Sequence, residues 1–151
     1  MGSISKSDKN IFEVKRIVQN LGTKESEKKQ HNIRIAIQKI NDLQLKPGQV
    51  FSFWHFVNFP TYKGGYLKSR AIQNNKILEE IGGGICQLSG LIYYLALHCN
   101  LEIIERHYHS IDIYKEEERF TPLGSDATVY FGYKDLVFIN NQAVSFQFKL
   151  N

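Results

Sequence analysis

The chain has 151 residues, of which 42% are hydrophobic and 13% aromatic, a composition typical of one folded domain and not of a disordered chain. Its two cysteines are too few for a disulfide framework or a four-cysteine zinc site. No apolar run approaches the roughly 20 residues of a membrane span, and the first residues lack the apolar region of a secretory signal. We therefore expect one domain over residues 1–151, with residues 1–9 as a flexible tail, no integral membrane segment and no secretory signal.

The formal net charge is +4, from 19 basic and 15 acidic side chains, and it is unevenly spread. Residues 1–50 hold ten basic and five acidic side chains, whereas residues 101–151 hold five and eight. This basic excess suits an anionic partner such as an acidic polymer, although a solvated helix face accounts for the same charges. No sequence signature of a nucleic-acid module accompanies the charge, so we expect no nucleic-acid partner.

The first third of the chain is predicted to be helical. Apolar residues at Ile11, Val14 and Ile17 have helical spacing and predict a helix over 10–21, and a second amphipathic helix follows over 23–41. A turn is predicted at 46–48, a buried strand or extended segment over 50–56, and a loop over 60–66.

The rest of the chain predicts one buried helix followed by strands. Three glycines, Gly82 to Gly84, precede a helix that ends near Asn100. Strand-like runs follow over 101–109, 127–133, 136–140 and 143–150, with a loop over 112–119 and a turn over 122–125. The predicted fold class is therefore α+β, with N-terminal helices and a central helix packed on an antiparallel sheet.

Cys86 is predicted to lie in the first turn of the central helix, directly after the glycines. Helix N-termini present N–H groups and a positive dipole end, which stabilise a thiolate, and glycines allow another backbone to approach closely. Cys86 is therefore a candidate nucleophile, with backbone N–H groups around Gly84 to Gln87 as oxyanion donors. The alternative is a buried structural cysteine. Cys99 lies near the far end of the same helix, roughly 20 Å away, and is predicted to be a core residue.

A thiol nucleophile needs a base and a group that orients the base. On a strand, His107 and His109 point to the same face, so either could reach Cys86. Asp126 and Glu105 are the candidate orienting carboxylates. A metal site on the two histidines is an alternative, but no further His or Cys lies close in the sequence, and we expect no metal and no cofactor. The order Cys, His, Asp on helix, strand and strand is similar to that of papain-like and transglutaminase-like enzymes.

Residues before and after Cys86 are candidates for contact with substrate. Arg70, Lys63 and Tyr66 precede the glycines and could meet a carboxylate, and Ser89 lies one helical turn beyond Cys86. Gly83, Gly84 and Gln87 complete the candidate substrate-binding set on this side.

Several of these segments resemble the VanW domain family over about residues 10–141. The Gly82 to Ser89 segment is the most specific of them, and the Phe53-Trp54 pair and the helix at 93–98 resemble the short, stand-alone branch named after vancomycin-resistance clusters. The other matching segments are His31 to Arg34, Lys46 to Phe53, Glu105 to Ser110 and Asp126 to Val129.

The resemblance implies a link to the bacterial cell wall and, for some members, L,D-transpeptidase activity with the motif cysteine as nucleophile. Carried over, Cys86 is the nucleophile, His109 in the His109-Ser110 pair is the preferred base with His107 second, and Ser110 joins the substrate-binding set. The implied partners are peptidoglycan stem peptides or their precursors, with anionic wall polymers as further partners of the basic residues. Such an enzyme would form 3–3 crosslinks through a Cys86 thioester and bypass the D-Ala-D-Ala target of glycopeptides.

Two alternatives stay open at this point. The domain could be a non-catalytic module that binds wall peptides, or a thiol peptidase or amidase that acts on other peptides. The expected absence of a secretory signal favours a cytoplasmic protein that acts on precursors or recycled peptides. A place in the cell envelope would require another export route.

Overall fold

The computed structural model describes residues 2–8, 11–17, 27–73, 76–108 and 126–151. Within these ranges the chain is a mixture of helices and antiparallel strands, so the predicted α+β class is confirmed. The helices are α1 (Glu27–Ile40), α2 (Phe53–Val57) and α3 (Ile85–His98). The strands are β1 (Gly2–Asp8), β2 (Ile11–Ile17), β3 (Gln44–Leu45), β4 (Val50–Ser52), β5 (Lys68–Gln73), β6 (Lys76–Ile81), β7 (Glu102–Glu105), β8 (Val137–Ile139) and β9 (Ser145–Leu150).

The described strands form three sheets. A four-stranded sheet has the order β2-β1-β9-β3, a three-stranded sheet has the order β4-β8-β7, and β5 and β6 pair as a separate hairpin. The strand pairs are antiparallel, with Phe51 opposite Phe138 and Leu45 opposite Phe146. The papain-like arrangement considered from the order of Cys, His and Asp is not confirmed.

The core lies between α1, α3 and the sheets. Ala36 and Ile40 of α1 and Ile92 and Leu95 of α3 are fully buried, as their helical spacing predicts. They share this core with a cluster of phenylalanines, in which the Phe51 and Phe138 rings stack 4.6 Å apart. Burying one such side chain contributes about 1.5–3 kcal/mol, so this cluster anchors α3 against the sheets.

The N-terminal part of the chain differs from the prediction. Residues 11–17, predicted as part of a helix, form strand β2, and Gly2–Asp8, expected as a flexible tail, forms strand β1. β1 pairs with both β2 and β9, from the far end of the chain. The spacing of Ile11, Val14 and Ile17 fits a helix, but β-branched residues also favour strands. The pairing of β2 with β1, which itself pairs with β9, is a contact between segments that spacing within one segment cannot reveal.

Three further segments differ from the prediction. Only 50–52 is a strand, because Ser52 caps helix α2 by accepting a hydrogen bond from the His55 backbone at 3.2 Å. The predicted strand over 127–133 is reduced to isolated bridges at Thr128 and Tyr130 followed by a turn. The β5–β6 hairpin was not predicted.

The remaining predictions for the second half divide into two groups. The buried helix is confirmed as α3, and the strands over 101–109, 136–140 and 143–150 are confirmed in part as β7, β8 and β9. The predicted loop over 112–119, the turn over 122–125, and both His109 and Ser110 lie outside the described residues. In the part of the chain that the structure describes, no helix is both long enough and apolar enough to cross a bilayer.

Candidate functional site

The glycine turn before α3 packs closely against strand β5 and helix α1. A Cβ on Gly83 would lie 2.2 Å from the carbonyl oxygen of Ser69, so only glycine allows β5 to approach this closely. Gly84 is the N-cap residue of α3, with a φ of +99° that favours glycine, and the aliphatic stem of Lys29 packs against it. The close backbone approach predicted for the glycines is therefore present at Gly83.

Asn32, a fully buried residue of α1, holds the glycine turn in place through three side-chain hydrogen bonds. Its side-chain amide nitrogen donates to the carbonyl oxygens of Leu67 at 2.9 Å and Gly83 at 3.1 Å. Its side-chain oxygen accepts a hydrogen bond from the Leu67 backbone at 2.9 Å. Asn32 thus connects helix α1, the start of the hairpin and the turn that carries the cysteine.

Cys86 is the second residue of α3, as predicted, and it is partly exposed. Its thiol donates to the Val129 carbonyl oxygen at 3.6 Å, and its sulfur lies 3.6 Å from the Thr128 hydroxyl. The Thr128 hydroxyl could donate to a thiolate, which would add to the effect of the helix N-terminus. The helix N-terminus and the Thr128 hydroxyl favour a thiolate, whereas the Val129 carbonyl oxygen, as an acceptor, favours the neutral thiol.

The backbone N–H groups near Cys86 are partly engaged within the turn. The Ile85 amide donates to the Gly82 carbonyl at 3.4 Å, and the Gln87 amide donates to the Gly84 carbonyl at 3.1 Å. An oxyanion bound by the segment from Gly84 to Gln87 would therefore compete with these two bonds, of which the bond from Ile85 is long.

Ser89, predicted to contact substrate, has a different position. It is fully buried, and its hydroxyl lies 2.6 Å from the Ala127 carbonyl oxygen and 3.0 Å from that of Cys86. The single hydroxyl proton is shared between these two acceptors. This geometry gives Ser89 a structural task, which is to hold the segment with Thr128 against the first turn of α3.

His107 is the histidine of the predicted pair that the structure describes. It forms an antiparallel bridge with Thr128, whose amide donates to the His107 carbonyl at 2.9 Å. Residues opposed in this way project their side chains to the same face. Thr128 thus connects His107 to Cys86, although His107 is not among the described residues that line the cleft with the thiol.

Glu105 contacts His107. One carboxylate oxygen of Glu105 lies 2.9 Å from Nε2 of His107 and accepts a second hydrogen bond from the Asp135 amide at 3.1 Å. The hydrogen bond from His107 holds the pKa of Glu105 below its usual value. The carboxylate is thus ionised and placed to fix the tautomer and orientation of the imidazole ring.

Asp126, predicted to orient a histidine, lies beside Arg106. The Arg106 guanidinium is 4.0 Å from the Asp126 carboxylate, and its Nε donates to the Asp126 carbonyl at 2.9 Å. For His107 the structure therefore places Glu105, and not Asp126, in the orienting position. A role of Asp126 toward His109 stays a prediction, because His109 lies outside the described residues.

Cys86 opens into a cleft of about 550 Å³. The predicted residues Arg70, Gly83, Gly84 and Gln87 line this cleft together with Cys86, so the structure brings these five together. Aromatic, hairpin and α1 residues complete the lining: Lys29, Trp54, Phe59, Pro60, Thr61, Tyr62, Ala71, Glu80, Ile81, Gly82, Ile85, Val129, Tyr130 and Phe131.

An aromatic cluster forms part of the lining. The Phe131 ring lies 5.4 Å from the Trp54 ring and 4.9 Å from the Phe59 ring. Asp135 holds Trp54 in place, because its carboxylate accepts hydrogen bonds from the Trp54 amide at 3.2 Å and the Ser52 hydroxyl at 2.5 Å. The cleft thus combines apolar ring surface with the charged side chains of Lys29, Arg70 and Glu80.

The sequence prediction missed Lys29, Trp54, Glu80 and Thr128 as site residues. Glu80 is one of two consecutive glutamates before Ile81 and the three glycines, and no local spacing distinguishes it from Glu79. Lys29, Trp54 and Thr128 come from three distant segments, and no local spacing indicates that they meet. The described residues contain no group of three or more side chains that could together hold a metal ion.

Comparison with known proteins gives one family and two curated relatives. The sequence matches the family described as VanW like protein over residues 28–151. It is 34% identical over 121 residues to the Vancomycin B-type resistance protein VanW of Enterococcus faecalis (strain ATCC 700802 / V583). This match covers 80% of this chain and 44% of the relative. It is 32% identical over 110 residues to the protein YoaR of Bacillus subtilis (strain 168), which covers 73% of this chain and 35% of the relative. The chain thus spans less than half the length of either relative, and no solved structure matches.

Proposed function

The chain belongs to the family of VanW-like proteins, and from this premise we propose that it transfers acyl groups on cell-wall peptides through a thioester on Cys86. The reaction is an L,D-transpeptidation that forms 3–3 crosslinks. The observation that carries the proposal is the position of Cys86, at the N-terminal end of α3 and in the lining of a cleft large enough for a peptide. The relative named for vancomycin resistance supports the link to the cell wall.

The first step is attack of the Cys86 thiolate on the carbonyl carbon of the L-centre of a diamino acid in a tetrapeptide stem. The carbonyl π electrons move to oxygen and give a tetrahedral oxyanion close to the N-terminal end of α3. As the oxyanion collapses, the C–N bond to the terminal D-alanine breaks. The departing nitrogen takes a proton from a histidine, which leaves a thioester on Cys86.

The second step transfers the acyl group. The amine of a second stem gives a proton to the same histidine and attacks the thioester, so that the C–S bond breaks and a new amide forms. Water in place of the amine yields the free acid, which is a carboxypeptidase reaction. The bridge to Thr128 and the hydrogen bond to Glu105 support His107 as this base.

The test is incubation of the protein with purified disaccharide tetrapeptides and analysis of the products by mass spectrometry. We expect D-alanine release together with 3–3 dimers, and a loss of more than about 10³-fold in the Cys86→Ala variant. Cys99→Ala is the matched control, because Cys99 is a core residue that does not line the cleft. Product formation that survives Cys86→Ala would contradict the proposal. Tetrapeptide binding with no product from the unmodified protein would favour a binding module instead.

A further inference from the structure

Glu80 is an acidic group in the cleft that has no charge partner among the described residues. It lies on β6, is half-buried and lines the cleft with Cys86. The residue opposite it on β5 is Ser69, which is neutral and buried, whereas the neighbouring Glu79 is opposite Arg70. Among the residues that the structure describes, none donates a hydrogen bond to the Glu80 carboxylate or forms an ion pair with it.

This placement has a free-energy cost that no residue in the described part of the chain offsets. Burial raises the pKa of the Glu80 carboxyl, which means that the ionised form is disfavoured where it stands. Lys29 and Arg70 line the same cleft, yet neither pairs with Glu80. A desolvated carboxylate is stabilised by an opposite charge or by hydrogen-bond donors, and an ammonium ion offers both.

We propose that Glu80 binds a primary ammonium group of the substrate, so that the cleft selects peptides that carry a free amine close to the carbonyl attacked by Cys86. Arg70 gives the same cleft a positive charge for the carboxylate end of such a peptide. The charges in the lining are thus matched to a ligand that carries both an amine and a carboxylate.

This inference rests on the proposed function and adds a specificity to it. In a wall stem peptide the free amine is that of the diamino acid whose carbonyl is attacked. An amine that is already acylated carries no charge, and the Glu80 carboxylate would then be desolvated without compensation. The donor would therefore be a stem whose side-chain amine has not yet been used in a crosslink.

The test measures binding of three synthetic tetrapeptides by titration calorimetry, in a Cys86→Ala background that prevents chemistry. The peptides end in D-alanine and carry at the third position lysine, Nε-acetyl-lysine or norleucine. We expect the lysine peptide to bind at least about tenfold more tightly than the other two, as for one charge-assisted hydrogen bond. Glu80→Gln should bring this ratio to about one. Glu79→Gln, the matched control on the adjacent position, should leave the ratio unchanged.

A purely structural role for Glu80 makes a different prediction. It would lower the thermal stability of Glu80→Gln and leave the ratio between the peptides intact, whereas we expect equal or higher stability because a desolvated charge is removed. A ratio that Glu80→Gln does not change, a ratio of about one before any change at Glu80, or binding of none of the peptides would overturn the inference.

The intact mass of the protein with native Cys86 separates this inference from the proposed function. An acyl adduct that forms equally fast with all three peptides would support the thioester and overturn the role of Glu80. An amine preference in binding with no adduct from any peptide would support Glu80 and contradict the acyl transfer.

Discussion

The two ends of helix α3 each carry a cysteine, in opposite surroundings. At the C-terminal end Cys99 is 9% exposed and packs in the core with Leu95 and Leu101. At the N-terminal end Cys86 is partly exposed, lies beside the Thr128 hydroxyl and lines a cleft with charged and aromatic residues. The same residue type on one helix is thus a packing group in one place and a candidate nucleophile in the other.

Along helix α3, apolar core contacts lie at the C-terminal end and the candidate reactive groups lie at the N-terminal end. The core end is held by apolar contacts, including the phenylalanine cluster. The cleft end is held by close backbone approach and by hydrogen bonds to buried polar groups, such as those of Asn32 and Ser89. Substitutions at the two ends should therefore separate stability from activity.

The largest expected effect on stability at the cleft end is that of Gly83→Ala. The new Cβ would overlap the Ser69 carbonyl, and we expect the free energy of unfolding to fall by about 2 kcal/mol, as for overpacking in a close-packed interior. Gly90→Ala is the control, since its Cβ would meet only the Ala127 nitrogen at 3.8 Å and alanine favours a helix. Urea denaturation measures both, and equal stability of the two variants would contradict the close approach at Gly83.

The next prediction compares the effects of alanine substitution at the two cysteines on stability and on acyl transfer. Cys99→Ala removes a buried sulfur and should lower the free energy of unfolding by about 1.5 kcal/mol, while acyl transfer persists. Cys86→Ala should change stability by no more than about 0.5 kcal/mol while abolishing acyl transfer. Urea denaturation together with product analysis gives both quantities. The division between the two ends would be wrong if Cys86→Ala proved the more destabilising change.

The smallest effect concerns Tyr66, which precedes the hairpin at the cleft end. Its hydroxyl is buried with no hydrogen-bond partner within the ranges that the structure describes, and burial raises its pKa from 10.0 to about 12. Tyr66→Phe removes this unsatisfied group and should raise the free energy of unfolding by about 1 kcal/mol at neutral pH.

The pH dependence gives a second readout for Tyr66. Because the pKa of Tyr66 is higher in the folded protein, the unfolded chain loses this proton at lower pH. The contribution of Tyr66 to the free energy of unfolding is therefore fully present below about pH 10 and is lost as the pH rises through about 12. Tyr66→Phe should remove this part of the alkaline loss, as measured by urea denaturation at pH 7, 10 and 12. A variant less stable than the unmodified protein at pH 7 would show that the hydroxyl has a partner.

Local sequence pattern predicted the elements that local forces determine. The apolar spacing of Ile33, Ala36 and Ile40 predicted α1, and that of Leu88, Ile92 and Leu95 predicted α3. Residues 11–17 were predicted as a helix and form a strand, because they pair with β1, which in turn pairs with β9 from more than 100 residues away. Such contacts leave no periodic signal within the segment.

The site was predictable where chemistry and local structure coincide. Cys86 and the glycines before it were identified because glycines followed by apolar residues at helical spacing indicate the N-terminus of a helix. Ser89 was placed toward substrate because one helical turn separates it from Cys86, but its hydroxyl is directed to Ala127. Glu80 was missed because its position in the cleft depends on the hairpin, which was not predicted.

The most direct test of the account is peptide mapping by mass spectrometry after brief incubation of the protein with a tetrapeptide stem and acid quenching. We expect a tripeptide acyl group on Cys86, released by hydroxylamine as for a thioester, and an unmodified Cys99. Turnover of the tetrapeptide with no acyl group on Cys86, or with the acyl group on another residue, would contradict it.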